Sequence, residues 1–101
     1  MKFIAVTMVR IYITENSKLL SPILNYLEKE VMIRGVSVFR AIRGIGETGE
    51  HGASLIDLSL NLPLVIEFFD SSEKVDIALE HLDKIIKPEH IVCWEAQANA
   101  H

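Results

Sequence analysis

The succession strand, helix, strand, strand, helix, strand predicts an α+β fold, a ferredoxin-like βαββαβ sandwich whose antiparallel sheet carries two helices on one face. Three observations point there. Apolar runs rich in Val, Ile and Phe occur at four places, two stripes at helical spacing lie between them, and 101 residues fit a single domain over 1–101. No linker, repeat or low-complexity block divides the chain.

Residues 5–14, dense in Val, Ile and Tyr, read as the first strand. Ser21 and Pro22 mark a helix start, because a serine oxygen can accept from an orphan backbone N–H and proline lacks a donor that the first turn does not use. Ile23, Leu24, Leu27 and Val31 continue at helical spacing, and Gly35 offers a left-handed stop, giving a helix over 21–33. Residues 36–43 form the second strand. Gly44, Gly46, Gly49 and Gly52 then crowd together, all but one of the five glycines, and predict an exposed, flexible loop over about 43–55. Residues 53–58 can be read as a short strand. Leu62 and Pro63 open the third main strand, which ends near Asp70. Asp70 and Glu73 have capping-box spacing, and Val75, Ala78, Leu79, Leu82, Ile85 and Ile86 make one stripe of a second helix. Pro88 helps to end it, and residues 90–96 are the last strand.

Alternation at period two sorts the strands into faces. One parity collects Val9, Ile11 and Ile13, Phe39 and Ala41, Leu64, Ile66 and Phe68, and Val92, Trp94 and Ala96; this face is expected under the helices, with Trp94 in the core. The other collects Met8, Arg10 and Tyr12, Val38 and Arg40, Val65, Glu67 and Phe69, and Cys93 and Glu95. That second face is too apolar for open water, and both helices lie on the other side, so it predicts burial against further copies of the chain. Arg10, Tyr12, Glu67 and Phe69 are the expected interface residues. Charges in such a place are costly unless paired, so Arg10 and Arg40 are expected to meet Glu67, Glu95 or their counterparts in a neighbour. The alternative is that these charges lie at strand ends and stay wet.

The formal charge of −4 disfavours non-specific nucleic-acid binding, which depends on Lys and Arg neutralising phosphates. The single Cys93 forbids an internal disulfide, supplies no paired zinc spacing and fits a reducing compartment; its strand neighbours favour a buried, structural thiol. Arg10 interrupts the first apolar stretch, which therefore reads as a strand and not as a secretory signal. The run over 62–69 is broken by Glu67 and is far shorter than a membrane span of about 20 residues. A soluble cytoplasmic protein is expected.

The glycine-rich stretch from Gly44 to Gly49 matches G-x-G-x-x-G after a strand, yet no helix opens behind it, so a dinucleotide-binding reading fails. Its backbone N–H groups can still cup an oxyanion, with Arg43 adding charge-assisted hydrogen bonds; a merely flexible loop with a solvated arginine is the alternative. His51 with Glu47 and Glu50 has metal-type donors but no helix to hold the spacing, and His81, His90 and His101 make no chelating pair, so no metal is expected. No nucleophile has an adjacent base, so the chain is not expected to be an enzyme.

Four pieces of the sequence, in order, carry a resemblance: residues 9–13 (VRIYI), residues 35–46 (GVSVFRAIRGIG), residues 51–54 (HGAS) and residues 62–67 (LPLVIE). Over about 8–95 the chain resembles the PII-like family of small proteins long treated as a domain of unknown function, related to the nitrogen-regulatory PII and divalent-cation-tolerance proteins. The resemblance implies a homotrimeric signalling protein that binds an adenine nucleotide between subunits and touches a regulated partner, such as a membrane transporter, through the loop after the second strand. It places Arg40, Arg43, Gly44 and Gly46 at the root of that loop and His51 at its return as ligand-binding residues. Ala41, Ile45 and Gly52 depart from the family's usual residues, and the C-terminal basic residues with which PII proteins grip ATP are missing, so a mononucleotide or another small anion fits better than a triphosphate. No cofactor is implied beyond such an effector. The rival readings are a metal-responsive oligomer of the divalent-cation-tolerance kind and a structural adaptor without ligand.

Overall fold

The computed structural model describes residues 1–42 and 63–100. A long strand β1 (Phe3–Thr14) leads through a short 3-10 turn (Glu15–Ser17) into helix α1 (Leu20–Asn25), and the helical path continues as a π-helical turn (Tyr26–Glu30). Strand β2 (Gly35–Arg40), strand β3 (Pro63–Asp70), helix α2 (Ser72–Leu82), a second 3-10 turn (Pro88–His90) and strand β4 (Ile91–Asn99) complete the described chain. The four strands form one sheet in the order β2-β3-β1-β4, antiparallel at every pairing. This is the ferredoxin-like arrangement predicted. The expected strand over 53–58 lies outside the described residues.

Register explains the core. Val9 lies opposite Phe68, Ile11 opposite Ile66 and Ile13 opposite Leu64, and directly opposed residues share a face. All six are buried and pack with Ile23 and Leu27 of the first helical segment and with Val75, Ala78 and Leu82 of α2. At these six positions the central strands present an aliphatic and aromatic surface to both helices, where burying each large side chain contributes about 1.5–3 kcal/mol.

The helix ends differ from expectation. Ser21 does not cap α1; Leu19 precedes it with no side-chain cap, and Pro22 still falls in the first turn. The helix closes at Met32, with φ of 54°, and not at Gly35, which already begins β2. The π turn causes this. It widens the spiral so that Val31 N–H reaches the Tyr26 carbonyl and Ile33 N–H reaches back to Leu27, while Lys74 Nζ donates to the Met32 carbonyl at 2.8 Å. At α2 the cap is Ser71, whose Oγ accepts from Lys74 N–H at 3.3 Å. Asp70, predicted for that role, instead accepts from Ser71 N–H at 2.8 Å and from Arg34 N–H at 2.9 Å. Ile85 lies past the end of α2 and is exposed, although Ile86 returns to the core.

The edge strands overturn half of the predicted faces. Val36, Val38 and Arg40 lie opposite Phe68, Ile66 and Leu64, so they belong to the helix side, whereas Phe39 lies opposite Val65 on the other. In β4, Cys93 and Ile91 oppose Val9 and Ile11, while Trp94 and Val92 oppose Met8 and Arg10 on the open side. Trp94 is therefore not a core residue, and Cys93 is exposed and not buried. Alternation fixes which residues of a strand share a face. It does not choose between the faces in an edge strand, where a charged residue such as Arg40 or Glu95 lies on the helix side and is still exposed. The paired termini also lengthen the sheet: β1 and β4 remain in register to Phe3 opposite Asn99, and Ala100 N–H donates to the Lys2 carbonyl at 2.7 Å.

Candidate functional site

Two places in the described residues gather polar chemistry on the sheet. The first is the open face. Met8, Arg10 and Tyr12 of β1 stand opposite Phe69, Glu67 and Val65 of β3, so Arg10, Tyr12, Glu67 and Phe69 do share one face, as expected. Arg10 donates to Glu67 Oε1 from Nε at 3.1 Å and from Nη2 at 2.6 Å. Its guanidinium carbon also lies 5.4 Å from the centroid of the Trp94 ring, the diagonal neighbour on β4. The bond to Glu67 first, and one to the Tyr12 hydroxyl second, raise the guanidinium's pKa above its ordinary value and keep it cationic.

Around this pair the face is apolar. Met8, Val65 and Phe69 are half-buried within a single chain, and Tyr12, Phe39, Val92 and Trp94 are exposed. Arg34 covers one end, its guanidinium carbon 5.6 Å from the Phe69 ring and its Nη2 donating to the Asn99 carbonyl at 3.4 Å. Within the chain, Arg10 meets the predicted partner Glu67. Glu95, the other candidate partner, lies on the helix-side parity opposite Thr7.

The second place is the far end of β2. Arg40 is the last residue of that strand, and Ala41 N–H donates to the Pro63 carbonyl at 2.9 Å, which ties the outgoing chain to the start of β3. The Arg40 guanidinium pairs fork to fork with Glu15 of the turn after β1: Nη1 bonds Oε2, and Nη2 donates to Oε1 at 2.7 Å. This holds the Glu15 carboxyl below the usual carboxylate range and Arg40 above its ordinary value. Arg43, Gly44, Gly46 and His51, the other predicted ligand residues, lie outside the described residues, as do Glu47, Glu50 and His101.

Sequence reasoning misses two members of these clusters. It puts Trp94 on the wrong face of an edge strand. Glu15 carries no signal at all, since its partnership depends on how a three-residue turn aims a side chain across β3. Of the remaining histidines, His81 stacks on Tyr26 between the helical segments, ring centroids 3.8 Å apart and planes 9° from parallel.

With this geometry in place, likeness to known proteins becomes informative. Residues 6–98 match the model of the DUF190 family, described as an uncharacterized ACR. The chain belongs to the DUF190 family. A UPF0166 protein of Aquifex aeolicus is 34% identical over 87 residues, covering 81% of this chain and 83% of that protein. Another, from Methanocaldococcus jannaschii, is 32% identical over 83 residues, covering 77% and 76%. Among solved structures, CPII of Thiomonas intermedia K12 bound to ADP and bicarbonate superposes with a TM-score of 0.72 at 17% identity, over 98% of this chain and 93% of that one. The divalent ion tolerance protein CutA1 of Ehrlichia chaffeensis gives 0.59 at 16% identity, over 95% and 84%. At such identities the likeness is one of fold, and it gives this DUF190 chain the PII-like architecture. Among its described residues no helix is long and apolar enough to cross a membrane.

Proposed function

We propose that this DUF190 protein is a homotrimeric, non-enzymatic PII-like sensor that binds a small anionic effector, an adenine nucleotide, between subunits and regulates a partner through the segment after β2. The observation that carries the reading is the asymmetry of the sheet. Helices bury Val9, Ile11, Leu64, Ile66 and Phe68, while the opposite face exposes Tyr12, Phe39, Val92 and Trp94 around an Arg10–Glu67 pair already satisfied within the chain. Such a face favours burial against other copies, and subunit association creates clefts that a monomer lacks. The anionic character of the effector is supported by Arg40 at the end of β2, by Arg43 beyond it in the sequence, and by the fold shared with CPII, which was solved with ADP and bicarbonate.

Light scattering at micromolar concentration tests assembly, and a thermal-shift panel of AMP, ADP, ATP, bicarbonate and divalent metals, with and without chelator, tests the ligand. The expected result is a trimer stabilised by AMP or ADP. A monomer removes the reading, and stabilisation by metal alone favours the second one, a divalent-cation-responsive oligomer, which has the CutA1 likeness behind it.

A further inference from the structure

The Arg40–Glu15 pair joins two segments distant in sequence at the place where the chain leaves β2. Glu15 is presented by a tied turn: the Ser17 hydroxyl donates to the Thr14 carbonyl at 2.6 Å, and the Thr14 hydroxyl bonds Asn16 Oδ1 at 2.7 Å. The carboxylate therefore meets the guanidinium from a fixed direction, oxygen to nitrogen on both prongs. Both side chains remain open to solvent, 53% for Arg40 and 38% for Glu15. A pair of this kind adds little to stability, so an outside anion can take the place of one partner. The planar fork that reads a carboxylate also reads two oxygens of a phosphoryl group.

Resting on the proposal that the effector is anionic, we propose that Arg40 is an oxyanion subsite at the end of β2, and that Glu15 occupies it in the empty protein as an internal competitor for the phosphoryl oxygens of the ligand. The apparent affinity is then the intrinsic one reduced by the fraction of molecules in which Glu15 has let go. Binding also releases the Glu15 carboxylate, so occupancy at Arg40 is reported at the β1–α1 connection.

The test compares the wild-type protein with Glu15→Gln, Arg40→Gln and the double variant, using ADP and inorganic phosphate as probes and the NMR resonance of the Glu15 carboxyl carbon as a local readout. Melting curves confirm that all four proteins fold. The expected result is ADP binding that tightens roughly twofold to fivefold in Glu15→Gln, the worth of an exposed pair. It weakens in Arg40→Gln, and the double variant behaves as Arg40→Gln alone. In the wild type, ADP moves the Glu15 resonance. If ADP binds the wild type and Glu15→Gln equally, the competitor is overturned while the nucleotide reading stands. If no variant binds ADP but phosphate moves the Glu15 resonance only when Arg40 is present, the nucleotide reading falls and the subsite stands. If neither probe moves it, both fall.

Discussion

Arg10 and Glu67 stand directly opposite each other on the two central strands, and the guanidinium grips a single carboxylate oxygen through both Nε and Nη2, at 3.1 and 2.6 Å. Because the pair is complete within one chain, the face around it can be covered without stranding either charge. On the proposed assembly, Glu67→Gln leaves Arg10 cationic and poorly paired in a desolvated place. The expected outcome is a modest change in the melting temperature of dilute protein but a clear loss of association. Light scattering across a dilution series is the measurement, and the variant should reach monomer mass at concentrations where the wild type remains assembled. Arg10→Met with Glu67→Leu, which removes both charges, should restore association; a variant as well assembled as the wild type would take the pair out of the interface.

How legible each strand is in the sequence depends on how one-sided it is. In β1 one parity is free of charge and the other carries Arg10, and in β3 the parity of Leu64, Ile66 and Phe68 is charged only at its last residue, Asp70, whereas the other carries Glu67 midway, so Val9, Ile11, Ile13, Leu64, Ile66 and Phe68 can be assigned to the core at once. In β2 and β4 charge misleads, because Arg40 and Glu95 lie on the helix side and are exposed there, and only register with the central strands places Phe39 and Trp94 on the open face. The first helix is legible as an apolar stripe, but its π turn and its closure at Met32 are not. The bond from Lys74 to the Met32 carbonyl, across 42 positions, has no local signal either. Of the candidate ligand residues, Arg40 alone falls among those the structure describes. Its partner Glu15 lies 25 positions from it, a separation at which no local pattern speaks.

Capping at α2 separates Ser71 from Asp70. Ser71 Oγ accepts from Lys74 N–H at 3.3 Å, long for a hydrogen bond of this kind, so Ser71→Ala should cost about 0.5–1 kcal/mol, at the lower end for an N-cap. Ser71→Asp should be nearly neutral, because a carboxylate can accept the same bond and suits the positive end of the helix dipole. Urea unfolding of the three proteins measures both values. A loss beyond about 2 kcal/mol in Ser71→Ala would mean that Ser71 does more than cap.

Tyr26 connects stability to alkaline pH. Burial foremost, and the nearby charges of Glu30 and Glu80 after it, raise the pKa of its hydroxyl above the ordinary value of about 10. The neutral form is the one the fold favours. In the unfolded chain the phenol loses its proton first, so the unfolded state binds fewer protons and stability falls as pH rises. The contribution is fully present below the unfolded pKa and is lost as pH climbs through the folded one. Tyr26→Phe should therefore remove an alkaline step from the plot of stability against pH. Denaturant melts on either side of pH 10 read this out, and an unchanged step in Tyr26→Phe would assign it elsewhere.

Trp94 is the only tryptophan, and it lies on the open face, 40% exposed in a single chain and 5.4 Å from the Arg10 guanidinium carbon. Its indole therefore reports directly on whether that face meets water. If other copies cover the sheet, emission from concentrated protein should be blue-shifted and resistant to a soluble quencher, and dilution should shift it to the red with a midpoint matching the loss of mass in light scattering. The Glu67→Gln variant should move that midpoint to higher concentration. Replacing Phe39, the exposed aromatic on the same face of β2, with Ser should do the same by removing apolar area from the contact. A quencher-accessible Trp94 in protein that is demonstrably oligomeric would show that the copies meet elsewhere, and would move the search for the ligand cleft away from this face.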